Sequence, residues 1–583
     1  MTGWLWPAAA CGAAVGAIIG WAAPVPLIAT CVVLVVLFRR SVVGPVVLVL
    51  SVALSAGLLD ARARGPLEDP GLEVIDTIAT LVDDPQWSAA SVRVTVSAQD
   101  RHLLVQAGGQ YASTLSNMAA GQRVVLRGRV EPLSPFQSWM KSRHVAGRVV
   151  VDELKRFDGG ALPFRLANSV RSSIETGARP LGRESRALYL GLVYGDDRDQ
   201  TDAVRTDVAR VGLGHLVAVS GQNVAFVIAL VAPLLARLGY RMRAIVVLVA
   251  LAFFATITRF EPSVLRAVTM AGAATVASLT GRYVEGTRIL ALSVTVLILI
   301  DPLLVERAGF QLSVAASAGI MWWAAPLARR MPMPDVISQP TAVSLAAQLA
   351  VAPITIITFD GVAPLSVPAN IAAGPVAGPV MMWGMTAGWL AGRVPSELGD
   401  LLIWPTRLPL WWLLTVARVG ASAPLAPLGA LSVVVLAAAV MVLGHHRLIA
   451  IALIVAVVWG SWLTPPGGST ELTNGAILHV GGLVVVELDS PTSPRAVLDG
   501  LRSRGVMRVD SVIAKRGGAR DAAAVATMRD RLTVSQVFAP PGNQVLDAEP
   551  LARGQVVRFV QDGLEIHSMG DELWVETGSA SVP

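Results

Sequence analysis

Residues 212–226 read GLGHLVAVSGQNVAF and open an apolar run that continues to Leu238, long enough to cross a bilayer. Within it stand His215, Ser220, Gln222 and Asn223, together with Gly221, which weakens a helix. Polar groups left unsatisfied in hydrocarbon are costly, so lipid-facing helices avoid them. A membrane segment of this composition is expected to turn these residues toward a hydrated passage or toward neighbouring helices. On an unbroken helix His215 and Gln222, seven apart, share a face, and Ser220 and Asn223 are neighbours. A nucleophilic Ser220 with His215 as base is a further reading. Their five-residue separation points them in different directions on a helix, and no acidic residue lies nearby to orient the base.

The surrounding chain has the composition of an integral membrane protein. Of its 583 residues 54% are hydrophobic and 15% charged, and the mean hydropathy is +0.60; soluble domains carry about 25% charge. Charged residues concentrate in 60–211 and 465–583. The fold class is therefore a polytopic α-helical membrane protein with two water-exposed appendages, one a small N-terminal β-barrel, OB-like, and the other a short C-terminal α/β domain. The formal charge of +6 reflects the bias of Lys and Arg toward cytoplasmic loops and does not by itself indicate nucleic acid. Cys11 and Cys31 lie in apolar tracts and read as buried thiols rather than a disulfide. The first tract lacks a basic leader and further spans follow, so no cleavable signal is expected.

Four segments organise the chain. Residues 1–59 hold apolar tracts at about 4–22, 24–38 and 42–59, the first with a Gly12/Gly16/Gly20 packing stripe. Arg39 and Arg40 mark a cytoplasmic loop, which places residues 60–160 outside. In 60–160, EVIDTIATLV, ASVRVTVSAQ, GQRVVLRGRV and VAGRVVVDEL alternate and are β-branched. Five or so short strands suit an OB-like barrel. Arg93, Arg101, Arg123, Arg127, Arg129 and Arg148 make it a candidate surface for single-stranded DNA, with few aromatics (Trp87, Tyr111 and Phe136) for stacking. A solvated basic β-domain is the plainer reading.

Residues 161–463 carry candidate spans at 213–238, 243–258, 262–280, 288–305, 309–328, 340–360, 364–392, 400–420, 427–444 and 448–463. The tract 364–392 is interrupted by Pro368 and Pro375, which suggests a re-entrant path. Basic clusters at Arg237/Arg241/Arg243, Arg282/Arg288, Arg329/Arg330 and His445/His446/Arg447 mark cytoplasmic ends. Arg266, Gln311, Gln348 and Asn370 are polar residues inside these tracts, candidates for a channel lining or for helix packing. Arg266 follows Pro262 closely enough to snorkel, and the two glutamines can simply bridge helices. Gly384, Gly388 and Gly392 form a packing stripe. Residues 464–583 alternate strand-like ILHVGGLVVVEL, MRVDSVIA and QVVRFV with a helical AAAVATMRDRL. There is no Walker A motif, no HExxH and no Cys-x-x-Cys. No cofactor is expected, and energy for transport must come from gradients or a separate motor.

GLGHLVAVSGQNV, PSVLRAVTMAG, DPLLVERAGFQLSVAASAGI and QLAVAPITIITFDGVAPLSVPANIAAGPVAGP follow one another in that order. Together they resemble the ComEC-type competence membrane proteins, the DNA-uptake channels of transformable bacteria. The resemblance covers most of residues 185–380. It implies an extracytoplasmic OB-like domain, a central competence domain and often a C-terminal metallo-β-lactamase-like domain, with partners that deliver DNA outside and pull it inside. By that resemblance His215, Ser220 and Gly221 match the HLxAxSG core, and Arg266, Gln311, Gln348 and Asn370 match recurring polar positions. Asn223 stands where many members have His.

The tail departs from the family. A metallo-β-lactamase-like hydrolase needs a His-x-His-x-Asp-His cluster after a strand to hold two metals. Here SVIA is followed by KRGGARDAAAV, so Lys515, Gly517, Ala519 and Arg520 occupy the ligand places. The expectation is a degenerate, metal-free domain and a non-enzyme. The leading reading is a multi-pass plasma-membrane channel subunit for single-stranded DNA in natural transformation, in contact with membrane lipid, DNA-delivery proteins and a cytoplasmic motor. A homo-oligomer is left open. A transporter of another solute or lipid, or an intramembrane hydrolase, are the alternatives.

Overall fold

The computed structural model describes residues 43–442 and 468–577, with Val457 between them. Short interruptions fall at 68–72, 89–90, 218, 220, 280, 282–283, 360 and 424. Further ones fall at 473–474, 481–482, 490–492, 503–505, 507, 553, 560–563 and 569–572. The first two apolar tracts, Cys11, Cys31, Arg39, Arg40, Ser220, Arg282, the cluster at 445–447 and nearly all of the last candidate span lie outside the described residues.

The described chain is mostly helical. Its helices are α1 (Val43–Arg64), α2 (Gly109–Ser116), α3 (Leu162–Gly177), α4 (Arg183–Tyr194), α5 (Asp202–Arg210) and α6 (Gly214–Val217). There follow α7 (Gly221–Leu235), α8 (Tyr240–Ile257), α9 (Pro262–Leu279), α10 (Gly286–Ile300), α11 (Ala308–Gly319), α12 (Ala325–Arg330) and α13 (Asp335–Phe359). After these come α14 (Ser366–Trp383), α15 (Ser396–Ile403), α16 (Arg407–Ala421), α17 (Ala430–Val442), α18 (Pro494–Arg502) and α19 (Ala519–Arg531). Four stretches are long and apolar enough to cross a membrane: Gly214–Pro233, Tyr240–Ile257, Pro262–Leu279 and Asp335–Phe359. Proline does not interrupt 364–392 as expected. Helix α14 runs past Pro368, Pro375 and Pro379, and a π turn at Gly384–Gly388 carries it on to Ala391. Pro368 falls in the first turn of α14, where an amide has no intrahelical acceptor to lose.

The chain divides into two compact units. The first comprises the described residues of Met1–Arg198, His215–Thr358 and Gly374–Leu410. Its β-domain has β1 (Glu73–Leu81), β2 (Gln86–Ser88), β3 (Ser91–Ala98), β4 (Arg101–Ala107), β5 (Arg123–Glu131) and β6 (Val145–Asp158). The sheet order is β1-β5-β6-β4-β3-β2, and β1 pairs with β3 as well as with β5. Only β4 and β6 pair in parallel; the other pairs are antiparallel. Period-two alternation sends Val124, Leu126 and Val130 of β5 inward, where they join Val94, Val96, Leu103 and Val105. Helix α2 adds Ala112 and Leu115 to the same core. In the helical part, the glycine stripe works as expected. A side chain at Gly384 would strike Val193, one at Gly388 Tyr189, and one at Gly392 the backbone of Ser173.

The second unit comprises Asp199–Gly214, Phe359–Ala373 and the described residues from Trp411 onward. Strands β7 (Gly468–Leu472), β8 (Gly475–Val480), β9 (Leu483–Leu488), β10 (Arg508–Ala514), β11 (Thr533–Ala539) and β12 (Glu549–Pro550) form one sheet in the order β12-β11-β10-β9-β8-β7. It is parallel from β9 to β12. Val497, Leu498, Val525 and Met528 of α18 and α19 fill its core. Strands β13 (Val556–Phe559), β14 (Leu564–Ser568) and β15 (Leu573–Thr577) form a second, antiparallel sheet. Helix α5 is fixed to this domain through Asp207, 1% exposed, which accepts from Arg502 Nη1 at 2.5 Å and Arg531 Nε at 2.7 Å.

In the first unit, the β-domain is tied to the helices by buried charge. Asp84, in the turn after β1, accepts from Arg171 of α3 at 2.6 Å. It also accepts from Arg259, past the end of α8, at 2.9 and 3.0 Å. Arg171 also reaches Asp196 at 3.1 Å and donates to the Ile257 carbonyl at 2.9 Å. Asp196 is in turn held by Arg198 at 2.8 Å. Burial alone would raise the Asp84 carboxyl; the Arg171 and Arg259 guanidiniums outweigh it and hold the group well below the carboxylate range. Asp196 is lowered likewise, against burial, by the hydrogen bond from Arg198 and the charge of Arg171.

Removing one member of a buried ion pair leaves its partner uncompensated, at about 3–5 kcal/mol. Arg171→Met should therefore lower the thermal unfolding temperature in detergent and open the 159–161 junction to protease. Because Asp84 and Asp196 are depressed in the folded state, their contribution is full above about pH 4 and is lost as pH falls further. Arg171→Met should flatten that acid dependence, and an unaltered melting profile from pH 3 to 7 would contradict the assignment.

Candidate functional site

The polar segment of residues 212–226 is not one helix. Helix α6 ends at Val217 and α7 starts at Gly221, with Val219 between them outside helical geometry. The Val219 carbonyl is drawn off by Ser263 Oγ at 2.6 Å. Gly195 ends α4 at φ +82°, and a side chain there would meet Val219 Cγ2 at 2.6 Å, so this glycine serves both the turn and the close approach. His215 and Gln222 consequently do not share the face of a continuous helix, which corrects that expectation. The break escapes a pattern-based reading because Ala-Val-Ser-Gly is compatible with either state.

Beyond the break, three helices of the first unit meet. Arg266 of α9 is 8% exposed; its Nε donates to Ser313 Oγ of α11 at 2.7 Å and its Nη1 to the Met270 sulfur at 3.1 Å. Arg266 thus does not snorkel to the surface. Gly221, at the first position of α7, leaves room for its Nη2: a built Cβ would lie 3.2 Å away. Asn223 is fully buried and donates Nδ2 to the Leu192 carbonyl at 3.1 Å, tying α7 to α4. Gln222 and His215 are exposed. Gln222 lies beside Gly378, where a Cβ would be 3.4 Å from its Nε2.

The other candidates are less concentrated. Gln311 donates to the Val305 carbonyl at 2.7 Å, closing the turn before α11. Gln348 in α13 and Asn370 in α14 are half-buried. The arginines of the β-domain do not form an unbroken basic face. Arg123 is bonded to Asp158 at 2.8 Å, Arg148 to Glu131 at 2.6 Å, and Arg101 lies 3.6 Å from Glu73. Arg127 and Arg129 stand exposed on β5, and Arg93 reaches Gln86 at 3.5 Å. Arg148 lines a cavity of about 310 Å³ with Ser91, Gln106 and Gly108. Trp87 and Trp139 are exposed in the same domain, and Tyr111 is tied to the Asp152 carbonyl.

The sequence reading missed the acidic partners that fix the β-domain: Asp84, Asp196 and Asp301. Asp301 accepts from His144 at 2.8 Å and Arg307 at 3.2 Å, while Arg307 also donates to the Ser142 carbonyl. Burial raises the Asp301 carboxyl, and His144 with Arg307 lowers it further than that. The turns 258–261 and 301–307, which both touch the β-domain, close α8–α9 and α10–α11.

In the tail, Lys515 Nζ lies 2.8 Å from Glu487 and 2.7 Å from Asp489 at the ends of parallel strands. Gly517 forms a turn at φ +61°, and Ala519 begins α19. Among the described residues no group of three or more His, Cys, Asp and Glu side chains is placed to hold a metal ion.

Residues 192–458 match the family model described as Competence protein. ComE operon protein 3 of Bacillus subtilis strain 168 is 26% identical over 347 residues, 57% of this chain and 44% of that protein. YcaI of Escherichia coli strain K12, an uncharacterized protein, is 26% identical over 204 residues, 33% of this chain and 27% of that one. These matches span less than half the length of either relative. No solved structure matches the chain.

Asn223 acts here as a tie between helices. Asn223→Leu should lower stability by about 0.6 kcal/mol, up to about 1.7, the range of interhelical hydrogen bonds. A cysteine at 223 should resist a water-soluble thiol reagent, whereas one at 222 should react. Rapid labelling at 223 in the folded protein would contradict this placement.

Proposed function

This chain belongs with the ComEC-type competence proteins through its membrane core, and from that premise we propose that it passes single-stranded DNA across the plasma membrane as a channel subunit. The observation that carries the reading is Arg266, a buried cation of α9 beside Gly221 at the start of α7, with the exposed Gln222 next along the chain. A polyanion needs cations and hydrogen-bond donors along its path rather than a wholly apolar bore.

The sidedness follows from charge. Turns 258–261 and 301–307 contact the β-domain through Arg259 and Asp301. The opposite ends of the same helices carry Arg237, Arg241, Arg243, Arg288, Arg329 and Arg330. The positive-inside rule puts those arginines in the cytoplasm and the β-domain outside. The double pairing of β1, the parallel β4–β6 pair and the helix α2 between β4 and β5 support an OB-like barrel in this domain. With three of its six candidate arginines paired to carboxylates, such a surface would hold a strand loosely and hand it on. The chain is read as a non-enzyme because Lys515 already supplies a cation to Glu487 and Asp489, where a metallo-hydrolase would place a metal. DNA-delivery proteins and a cytoplasmic motor are the partners this role requires.

Deletion of the gene from a transformable host should abolish transformation while labelled DNA still binds at the surface, open to added nuclease. Undiminished transformation in the deletion strain would overturn the reading, and loss of another anion's transport instead would favour a solute transporter.

A further inference from the structure

The contact of the β-domain with the 301–307 turn differs from the Asp84 cluster in its chemistry: it contains histidine. His144, at φ +63° just before β6, has its Nε2 2.8 Å from Asp301 Oδ1. Asp301 also accepts from Arg307 Nη2 at 3.2 Å and from the Leu303 amide at 3.1 Å. Beside this contact, His102 of β4 meets the His144 ring edge-on, with centroids 6.1 Å apart. His102 Nδ1 is buried without a hydrogen-bond partner. Strand β4 changes register against β6 directly after His102. The charged groups around His102 are Arg143 and His144 from the turn before β6, and Asp301 and Arg307 from the 301–307 turn. Glu261 and Asp83 face Arg143 from the two other turns.

We propose that His102 and His144 form an acid-sensitive latch, which frees the 142–145 corner of the β-domain from the 301–307 turn while the Asp84 cluster stays closed. The latch goes beyond the DNA-channel reading and does not rest on it. A proton added to His102 finds no acceptor at Nδ1 and places a further positive charge beside Arg143, His144 and Arg307. Burial, with the charges of His144 and Arg307, accordingly holds the imidazole below its ordinary value. The docked state thus binds this proton less readily than the released state, and docking weakens as pH falls from about 6.5. Asp301 is held low by His144 and Arg307 against burial, so it stays ionised in that window. Glu261 and Asp83 work the other way: their low-dielectric surroundings raise both, so each favours the docked state in acid. The Asp84 cluster has arginines alone as its cations, and these keep their charge throughout.

Hydrogen exchange read by mass spectrometry on the full chain in detergent, corrected for the intrinsic pH dependence of exchange, follows both contacts at once. From about pH 7.5 to about pH 5.5 protection of residues 140–146 and 301–308 should fall, by up to about tenfold per pH unit, the limit for one proton. Residues 80–86, around Asp84, should keep their protection. His102→Phe, which retains the ring contact and cannot titrate, should abolish the fall. Should that variant fail to melt cooperatively, His144→Gln decides: it can still donate to Asp301 without taking a charge, and it should make the fall shallower. Glu261→Gln should leave the fall in place. An unchanged fall in the folded His102→Phe or His144→Gln protein would overturn the latch. So would a fall removed only by Glu261→Gln, or an equal loss of protection at 80–86, which is general acid unfolding.

Discussion

Asp84 is the point through which the first unit is held together. One carboxylate, in a tight turn of the β-domain, receives both Arg171 and Arg259. Arg259 and Phe260 adopt left-handed backbone geometry, at φ +57° and +56°, which costs energy for residues with side chains. The ion pair holds that turn in place and so sets how α8 enters α9. Since Arg171 also grips the Ile257 carbonyl and Asp196, the same cluster fixes the ends of α4 and α8. The β-domain is thereby joined to the helices by buried ion pairs. A second clamp, His144 and Arg307 on Asp301, repeats the device at the next turn.

With those ends fixed, the break between α6 and α7 acquires its meaning. Membrane helices cannot leave backbone groups unpaired, and here Ser263 satisfies the carbonyl that the break releases. Gly195 and Gly221 then give the space that lets α4 and α9 close on the segment. Asn223 is spent on holding α7 to α4, while Arg266 bonds to Ser313 and Met270 and Gln222 is exposed beside Gly378.

The apolar helical character of the chain, four stretches long enough to cross a membrane and the main strands were legible because they rest on composition and periodicity. EVIDTIATL, SVRVTVSA and RVVLRGRVE became strands as their alternation predicts. Strand β4 was not seen, since RHLLVQA lacks strict alternation. The residues Arg266, Gly221 and Gln222 were identifiable as polar or small groups in apolar tracts. Their grouping was not, because it depends on a helix break that nothing local specifies. The Asp84 cluster was invisible for a related reason: its members are separated by up to 175 residues and meet only through tertiary packing. Proline at 368 and 375 misled: Pro368 lies in the first turn of α14, where its missing amide costs no helical bond, and the helix continues past Pro375.

The proposed function has a strand passing the N-terminal end of α7. Site-specific photocrosslinking in living, transforming cells tests this most directly, with a photoreactive residue at 222 and, as the lipid-facing control, at Val249, which is 63% exposed on α8. The account predicts that incoming labelled DNA crosslinks at 222 and not at 249. Equal crosslinking at both positions, or none at 222 while transformation proceeds normally, would contradict it.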